Sequence, residues 1–175
     1  VGICPGVFMA SNDELRIYVS GRGGHAARRT EVDDTVTAMA DMVVRTTRLN
    51  SPDGVVSIGK VVADGATNVI PDNVYAEGTM RTFDAGERER IHSLLRSNAR
   101  EVAESYGVEV RVDISRGYPT VVNDVMLSYE AMIVAADEGI EVSEMSRQTT
   151  AEDFGYYTER YPSLFYRLGV GRDAG

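Results

Sequence analysis

Cysteine occurs once in these 175 residues, at Cys4, histidine only twice, at His25 and His92, and tryptophan not at all. A single cysteine excludes an internal disulfide framework and a zinc site built from cysteines; a buried, inert thiol is the simpler reading. Two histidines far apart in sequence do not make a hydrolytic zinc site, which needs His and carboxylate ligands around an open position for water. No G-x-S-x-G elbow and no phosphate loop is present, and the "GRGG" run fails the glycine spacing of a dinucleotide fingerprint. Lysine is limited to Lys60, so arginine carries nearly all the positive charge. The net charge is -9 and the pI about 4.7, which leaves no footprint for nucleic acid or an anionic membrane surface. No apolar run is long enough to span a bilayer and no signal-peptide pattern opens the chain, so a cytoplasmic protein is expected.

What is there is globular: 43% hydrophobic and 26% charged residues, in a chain long enough to bury a core. "ELRIYVSG" alternates Leu15, Ile17 and Val19 with polar residues and predicts a strand. A helix is predicted from Asp33 or Asp34, with Val32, Val36, Met39, Ala40, Val43 and Thr47 as its apolar stripe. "VVSIGKVVADG" predicts a strand with Gly59 as a bulge, "ATNVIPDN" a connection, and "VYAEGTMRTF" a strand with Val74, Ala76, Gly78 and Met80 on one face. The helix from Asp84 has Ile91, Leu94, Leu95, Val102 and Tyr106 as its apolar side. Glu87, Arg88, Glu89, Arg90 and Glu101 are expected on its solvated face, His92 at the surface, and Gly107 as its stop. "VEVRVDIS" closes the series as a strand. Strand, helix, strand, strand, helix, strand is the order of two split βαβ units, a four-stranded antiparallel sheet with both helices on one face, the ferredoxin-like arrangement. After "RGYP", Val125 to Asp137 predicts a helix whose apolar side is Met126, Tyr129, Met132, Ile133 and Ala136, ended by Gly139. "EDFGYYTERY" predicts a helical turn, and "LFYRLGVG" a buried strand.

His25 stands out because three glycines and two alanines flank it, so its imidazole can project without obstruction. Alone, a histidine in a glycine turn is more often a bystander than a catalyst. An Asn placed like Asn68 is usually a turn former, and an arginine placed like Arg81 is usually a solvated or paired surface group, though it can also fork onto a substrate carboxylate.

The segments "SGRGGHAARRTEVDD", "GATNVIPDNVYAEGTMRTFD", "RGYPTVVND" and "AEDFGYY", in this order, closely resemble the amidohydrolase branch of the family-20 metallopeptidases, the aminoacylases with their glutamate carboxypeptidase and desuccinylase relatives. The resemblance covers essentially the whole chain. It implies an α+β chain: a ferredoxin-like lid and dimerisation domain over residues 12–117, plus an incomplete α/β catalytic-domain segment made of residues 1–11 and 118–175. It further implies that His25 crosses to the partner subunit's active site and supports the scissile carbonyl, and that Asn68 lines the substrate site. Arg81 is implied as a substrate-binding residue, and Glu152 and Asp153 as residues near the metal pocket. The full-length enzyme is expected to use two divalent ions, zinc or manganese, whose ligands are not in this chain. It is expected to act as a homodimer on N-acyl amino acids or short peptides, with no nucleic-acid or membrane partner. The chain begins without methionine and is expected to be a piece of a longer polypeptide, inactive alone. A stand-alone ferredoxin-like dimerisation or ligand-binding module is the alternative, and a metal-free relative a third reading.

Overall fold

The computed structural model describes residues 1–171. In chain order the elements are β1 (Gly2–Ile3), β2 (Gly6–Met9), β3 (Asp13–Ser20), β4 (Gly24–His25), α1 (Thr35–Thr47), β5 (Gly54–Ala63), β6 (Val69–Ile70), β7 (Asn73–Thr82), α2 (Ala85–Tyr106), β8 (Glu109–Arg116), β9 (Val121–Asn123), α3 (Val125–Asp137), β10 (Ser143–Glu144), α4 (Gly155–Thr158) and β11 (Tyr166–Arg167). They form two compact units, Asp13–Gly117 and a second made of Val1–Asn12 with the chain from Tyr118 onward.

The unit of residues 13–117 is an α+β domain on a four-stranded sheet of order β5-β7-β3-β8, antiparallel throughout. Alternation along β3 buries Leu15, Ile17 and Val19 on one face. Val74, Ala76 and Met80 of β7 join them, and so do Ala38, Met39 and Met42 of α1 and Ile91, Leu95, Ala99 and Val102 of α2, in one core. Both helices therefore cover the same face. The register of β5 slips between Ile58 and Lys60, which makes the bulge at Gly59. The open face protects itself with paired polar groups. The Tyr18 and Tyr75 rings lie 4.9 Å apart, Arg111 caps Tyr18 at 4.2 Å, and Lys60 reaches Glu77 at 3.1 Å. The Tyr75 hydroxyl donates to Glu77, and that bond pushes its pKa up to about 12.

Helix α1 departs from the expected stripe. Its buried residues are Thr35, Ala38, Met39, Met42 and Thr46, while Val36 is 41% exposed and Ala40 and Thr47 face solvent. Its core face is Ala38, Met39 and Met42, flanked at the two ends of the helix by the buried Thr35 and Thr46. Asp34 caps the helix by accepting from Thr37 N–H.

Helix α2 brings two corrections. Arg88 and His92, expected in solvent, are both buried. They surround the Asp13 carboxylate, which has no exposed surface. Arg88 pairs with both carboxylate oxygens, His92 Nε2 lies 2.7 Å from Oδ2, and the Gly117 N–H donates to Oδ1 at 3.1 Å. Burial alone would raise the Asp13 pKa, but the bonds from Arg88, His92 and Gly117 outweigh it and lower it. At the start of the helix Asp84 accepts from Glu87 N–H. Glu87 does not complete a capping box: it binds Ser51 and Arg90, and the Arg90 bond, with help from Ser51, brings its pKa down to about 2. Gly107, at φ +67°, ends the helix in the left-handed region.

In the other unit β1 pairs with β10 and β11, and β2 with β9. Its small core is Cys4, Phe8, Met9 and Val121 with Met145, Phe154 and Phe165 packed on it. The buried Asn123 carboxamide ties the chain together, donating to Cys4 O and Phe165 O and accepting from Phe165 N–H. Helix α3 buries only Ser128, so its expected apolar side is not packed: Met126 is 69% and Ile133 62% exposed. Nor is the segment from Leu164 a buried strand; only Tyr166–Arg167 is extended, and both residues are exposed.

Removal of the Asp13 carboxylate strands Arg88 in the interior, so Asp13→Ala is expected to destabilise the 13–117 unit by about 3–5 kcal/mol. Asp13 and Glu87 both have lowered folded-state pKa values, so the unfolded chain takes up their protons first. Their contribution is complete above the ordinary carboxylate range, from about pH 6 upward, and is lost as pH falls through the folded-state values, about 2 for Glu87. Urea unfolding followed across that range checks both expectations.

Candidate functional site

The loop after β3 is held from below by two carboxylates. Asp72 accepts Gly21 N–H on its backbone carbonyl at 2.9 Å and Gly23 N–H on its side chain at 2.8 Å. Asp33 accepts Arg22 N–H at 2.7 Å and returns its own N–H to Arg22 O. The loop then runs into β4, which pairs antiparallel with β6: Gly24 faces Ile70 and His25 faces Val69. The Ala26 N–H extends the ladder onto Asn68 O at 2.9 Å. The segment expected to be a plain connection thus contains a strand, and that strand sits beside His25.

The glycines have a steric cause. A Cβ on Gly23 would stand 2.5 Å from Ile70 O, 2.7 Å from Asp72 N and 2.8 Å from Pro71 C. Gly24 has φ +149°, a backbone that L side chains avoid. Gly65, on the other arm, would meet Val69 O at 2.6 Å.

His25 is exposed, and its Nδ1 accepts the Ala27 N–H at 3.2 Å. In a neutral imidazole whose Nδ1 accepts, Nε2 carries the proton. Asn68 is exposed on the facing arm. With Nδ1 accepting, the paired β4 and β6 thus offer an Nε2 N–H donor and a carboxamide, which suits a carbonyl oxygen that gains negative charge. Arg81 lies at the opposite end of β7 from Asn73, where β6 hands over to the sheet; by strand rise that is roughly 25 Å away. The hairpin and Arg81 are not brought together within this unit. Glu152 and Asp153 lie in the other unit, on the turn before α4, where their carbonyls accept from Gly155 and Tyr156 N–H.

Neither remaining reactive residue type supplies a nucleophile or a ligand set. Burial, and then the charge of Glu144, raise the Cys4 pKa and disfavour its thiolate. His92 is committed to Asp13. Among the described residues no three of His, Cys, Asp and Glu cluster to hold a metal ion. No helix among them is long and apolar enough to cross a membrane. The sequence singles out His25 and Asn68 as candidates but not the groups that hold their strands, Asp33, Asp72 and Thr35. The "DD" pair signalled only a helix start, and the "PD" only a turn.

A sequence profile described as a peptidase dimerisation domain matches residues 11–107, more than half of the chain. The chain belongs to the M20 peptidase dimerisation-domain family. Among relatives of this peptidase family, the N-acetyldiaminopimelate deacetylase of Shouchella clausii is 33% identical over 98% of this chain and 48% of its own length. The N-acetyl-L-cysteine deacetylase of Bacillus subtilis is 27% identical over 99% of this chain and 43% of its own. Of solved structures, the Bacillus subtilis YXEP protein, described as a dinuclear metal binding peptidase from the M20 family, superposes with TM-score 0.78 at 29% identity, covering 94% of this chain and 42% of that one. A protein of methicillin-resistant Staphylococcus aureus, provisionally called an aminohydrolase, gives TM-score 0.88 at 26% identity, covering 99% and 46%. The chain spans about half the length of the curated relatives it matches.

Gly23→Ala is expected to push the β4 arm off residues 70–72, because the clash is with backbone that cannot rotate away. The check is amide hydrogen exchange: the Ala26 and Gly23 amides lose protection while those of β3 and β7 keep theirs.

Proposed function

We propose that this chain supplies a ferredoxin-like dimerisation lid, residues 12–117, and part of the catalytic domain, residues 1–11 and 118–175, to a metal-dependent amidohydrolase. Its substrates would be N-acyl amino acids or short peptides, and it would work as a homodimer. The observation that carries this reading is the β4–β6 ladder, which presents His25 with Nδ1 already bonded and sets Asn68 on the facing strand arm. Family membership and the printed names of relatives that act on N-acetylated amino acids support it.

In this reading the hairpin enters the partner subunit's active site. There His25 Nε2–H and the Asn68 carboxamide donate to the scissile carbonyl oxygen as the amide carbon becomes tetrahedral. Such donors act most strongly on the developing oxyanion, so they lower the barrier more than they tighten substrate binding. Among the described residues no three of His, Cys, Asp and Glu come together to hold a metal ion. The zinc or manganese pair proposed for the whole enzyme would be ligated by residues outside this chain. Arg81 remains a candidate for a substrate carboxylate by residue type alone, since its position along β7 gives that role no support. Glu152 and Asp153 keep a proposed place near the metal pocket on resemblance alone. For the dimer, β5 is a free sheet edge that carries exposed Val55, Val61 and Val62, and α1 exposes Val36 and Val44. An unpaired edge of this kind can continue the sheet across a two-fold axis.

In the complete enzyme His25→Ala is expected to lower turnover by roughly 10²–10³ with the fold intact. Subunits carrying it, mixed with subunits whose metal site is destroyed, should partly regain activity. Mixed dimers as inactive as either parent would refute the role in trans. For association, Val36→Glu with Val44→Glu should convert dimer to monomer in sedimentation while the circular dichroism stays unchanged.

A further inference from the structure

Thr35 is the first residue of α1 and has no exposed surface. Its Oγ1 donates to Pro71 O at 2.7 Å, directly after β6. Its Cγ2 lies so close to Gly21 that a Cβ there would stand 3.1 Å from it. One side chain thus faces both arms of the β4–β6 pair: its hydroxyl bonds the Asn68 arm, and its methyl lies where a side chain at Gly21 on the His25 arm would crowd it. The hairpin itself is only two residues per strand, a length that does not hold a fixed geometry in water by its own ladder. Its other ties run between Asp33 or Asp72 and the backbone of residues 21–23, where the chain is exposed or half-buried. Thr35, itself without exposed surface, ties the β4–β6 pair to the start of α1 through the half-buried Pro71 carbonyl.

We propose that Thr35 is the positioning residue that fixes His25 and Asn68 in their mutual geometry. This rests on the catalytic role read above for the hairpin. Thr35 touches no substrate; it acts through the Pro71 carbonyl on β6 and through Gly21 on β4. Valine at this position keeps the Cγ2 methyl and the volume but withdraws the hydroxyl, leaving the Pro71 carbonyl without that donor. Serine keeps the hydroxyl and loses the methyl. The two substitutions therefore separate hydrogen bond from packing.

The test compares Thr35→Val and Thr35→Ser in the complete enzyme, each with and without His25→Ala. Misplacement on the ångström scale is expected to lower kcat by roughly 10- to 100-fold in Thr35→Val with KM nearly unchanged, and serine should restore most of it. In the His25→Ala background Thr35→Val should cost less than in the parent enzyme, because only the misplacement of Asn68 is left to act. An equal loss in both backgrounds, or no loss in either, overturns the proposal. Amide exchange on the full chain reads the anchor independently of catalysis: Ala26 and Gly23 should lose protection in Thr35→Val and keep it in Thr35→Ser. Unchanged protection in Thr35→Val overturns the anchor. If His25→Ala leaves turnover intact, the functional reading fails and the exchange result alone decides whether Thr35 anchors the hairpin. Should valine prevent folding, Thr35→Ala withdraws the hydroxyl without adding a methyl in its place; Ala26 is then expected to lose protection, and full protection there overturns the proposal.

Discussion

A slip of one residue in the pairing of Gly24–His25 with Val69–Ile70 would turn the imidazole to the other face of its strand. It would also separate Ala26 from the Asn68 carbonyl. The candidate site therefore depends on a register held by very few backbone hydrogen bonds. That register is fixed from outside the ladder. Gly23 lets the backbone of residues 70–72 come within a distance that a methyl group would forbid, and Asp72 then binds the loop from the far side. The glycine-rich stretch is less a means of giving the histidine room than a means of letting two distant stretches of chain lie against each other.

The alternating strands and the capped helices of residues 13–117 were legible in the sequence because each has a one-sided burial pattern. Leu15, Ile17 and Val19, or Ile91, Leu95 and Val102, have periods that only one arrangement satisfies. Burial failed as a guide where polar residues go inside. Thr35 and Thr46 flank the inner face of α1, and Arg88 and His92 go in because Asp13 is already there to receive them. No local pattern reveals a partner seventy-odd residues away. In α3 the error runs the other way: apolar residues at helical spacing do not say what will cover them.

The candidate site divides along the same line. His25 and Asn68 are visible as residue types in an odd local context, and the resemblance to a family gives them meaning. Asp33, Asp72 and Thr35 are invisible in that sense, since a helix start and a turn account for them fully. Only when β4 and β6 are side by side does each acquire a second partner. Residues that hold a site are harder to read than residues that form it, because their effect exists only in three dimensions.

Asp13 and Gly117 are the first and last residues of their unit, yet Gly117 N–H binds the Asp13 carboxylate directly. The next residues outward repeat the contact: Asn12 N–H donates to Tyr118 O, and Tyr118 N–H to the Asn12 carboxamide. Entry and exit of the intervening hundred-odd residues thus lie side by side. A segment with adjacent ends is topologically a loop: it can lengthen, be exchanged for another fold or be cut back to a short turn, and the strands that flank it keep their spacing. The geometry at Asp13 is that of a module inserted into a host chain, and it leaves the two parts free to diverge at different rates.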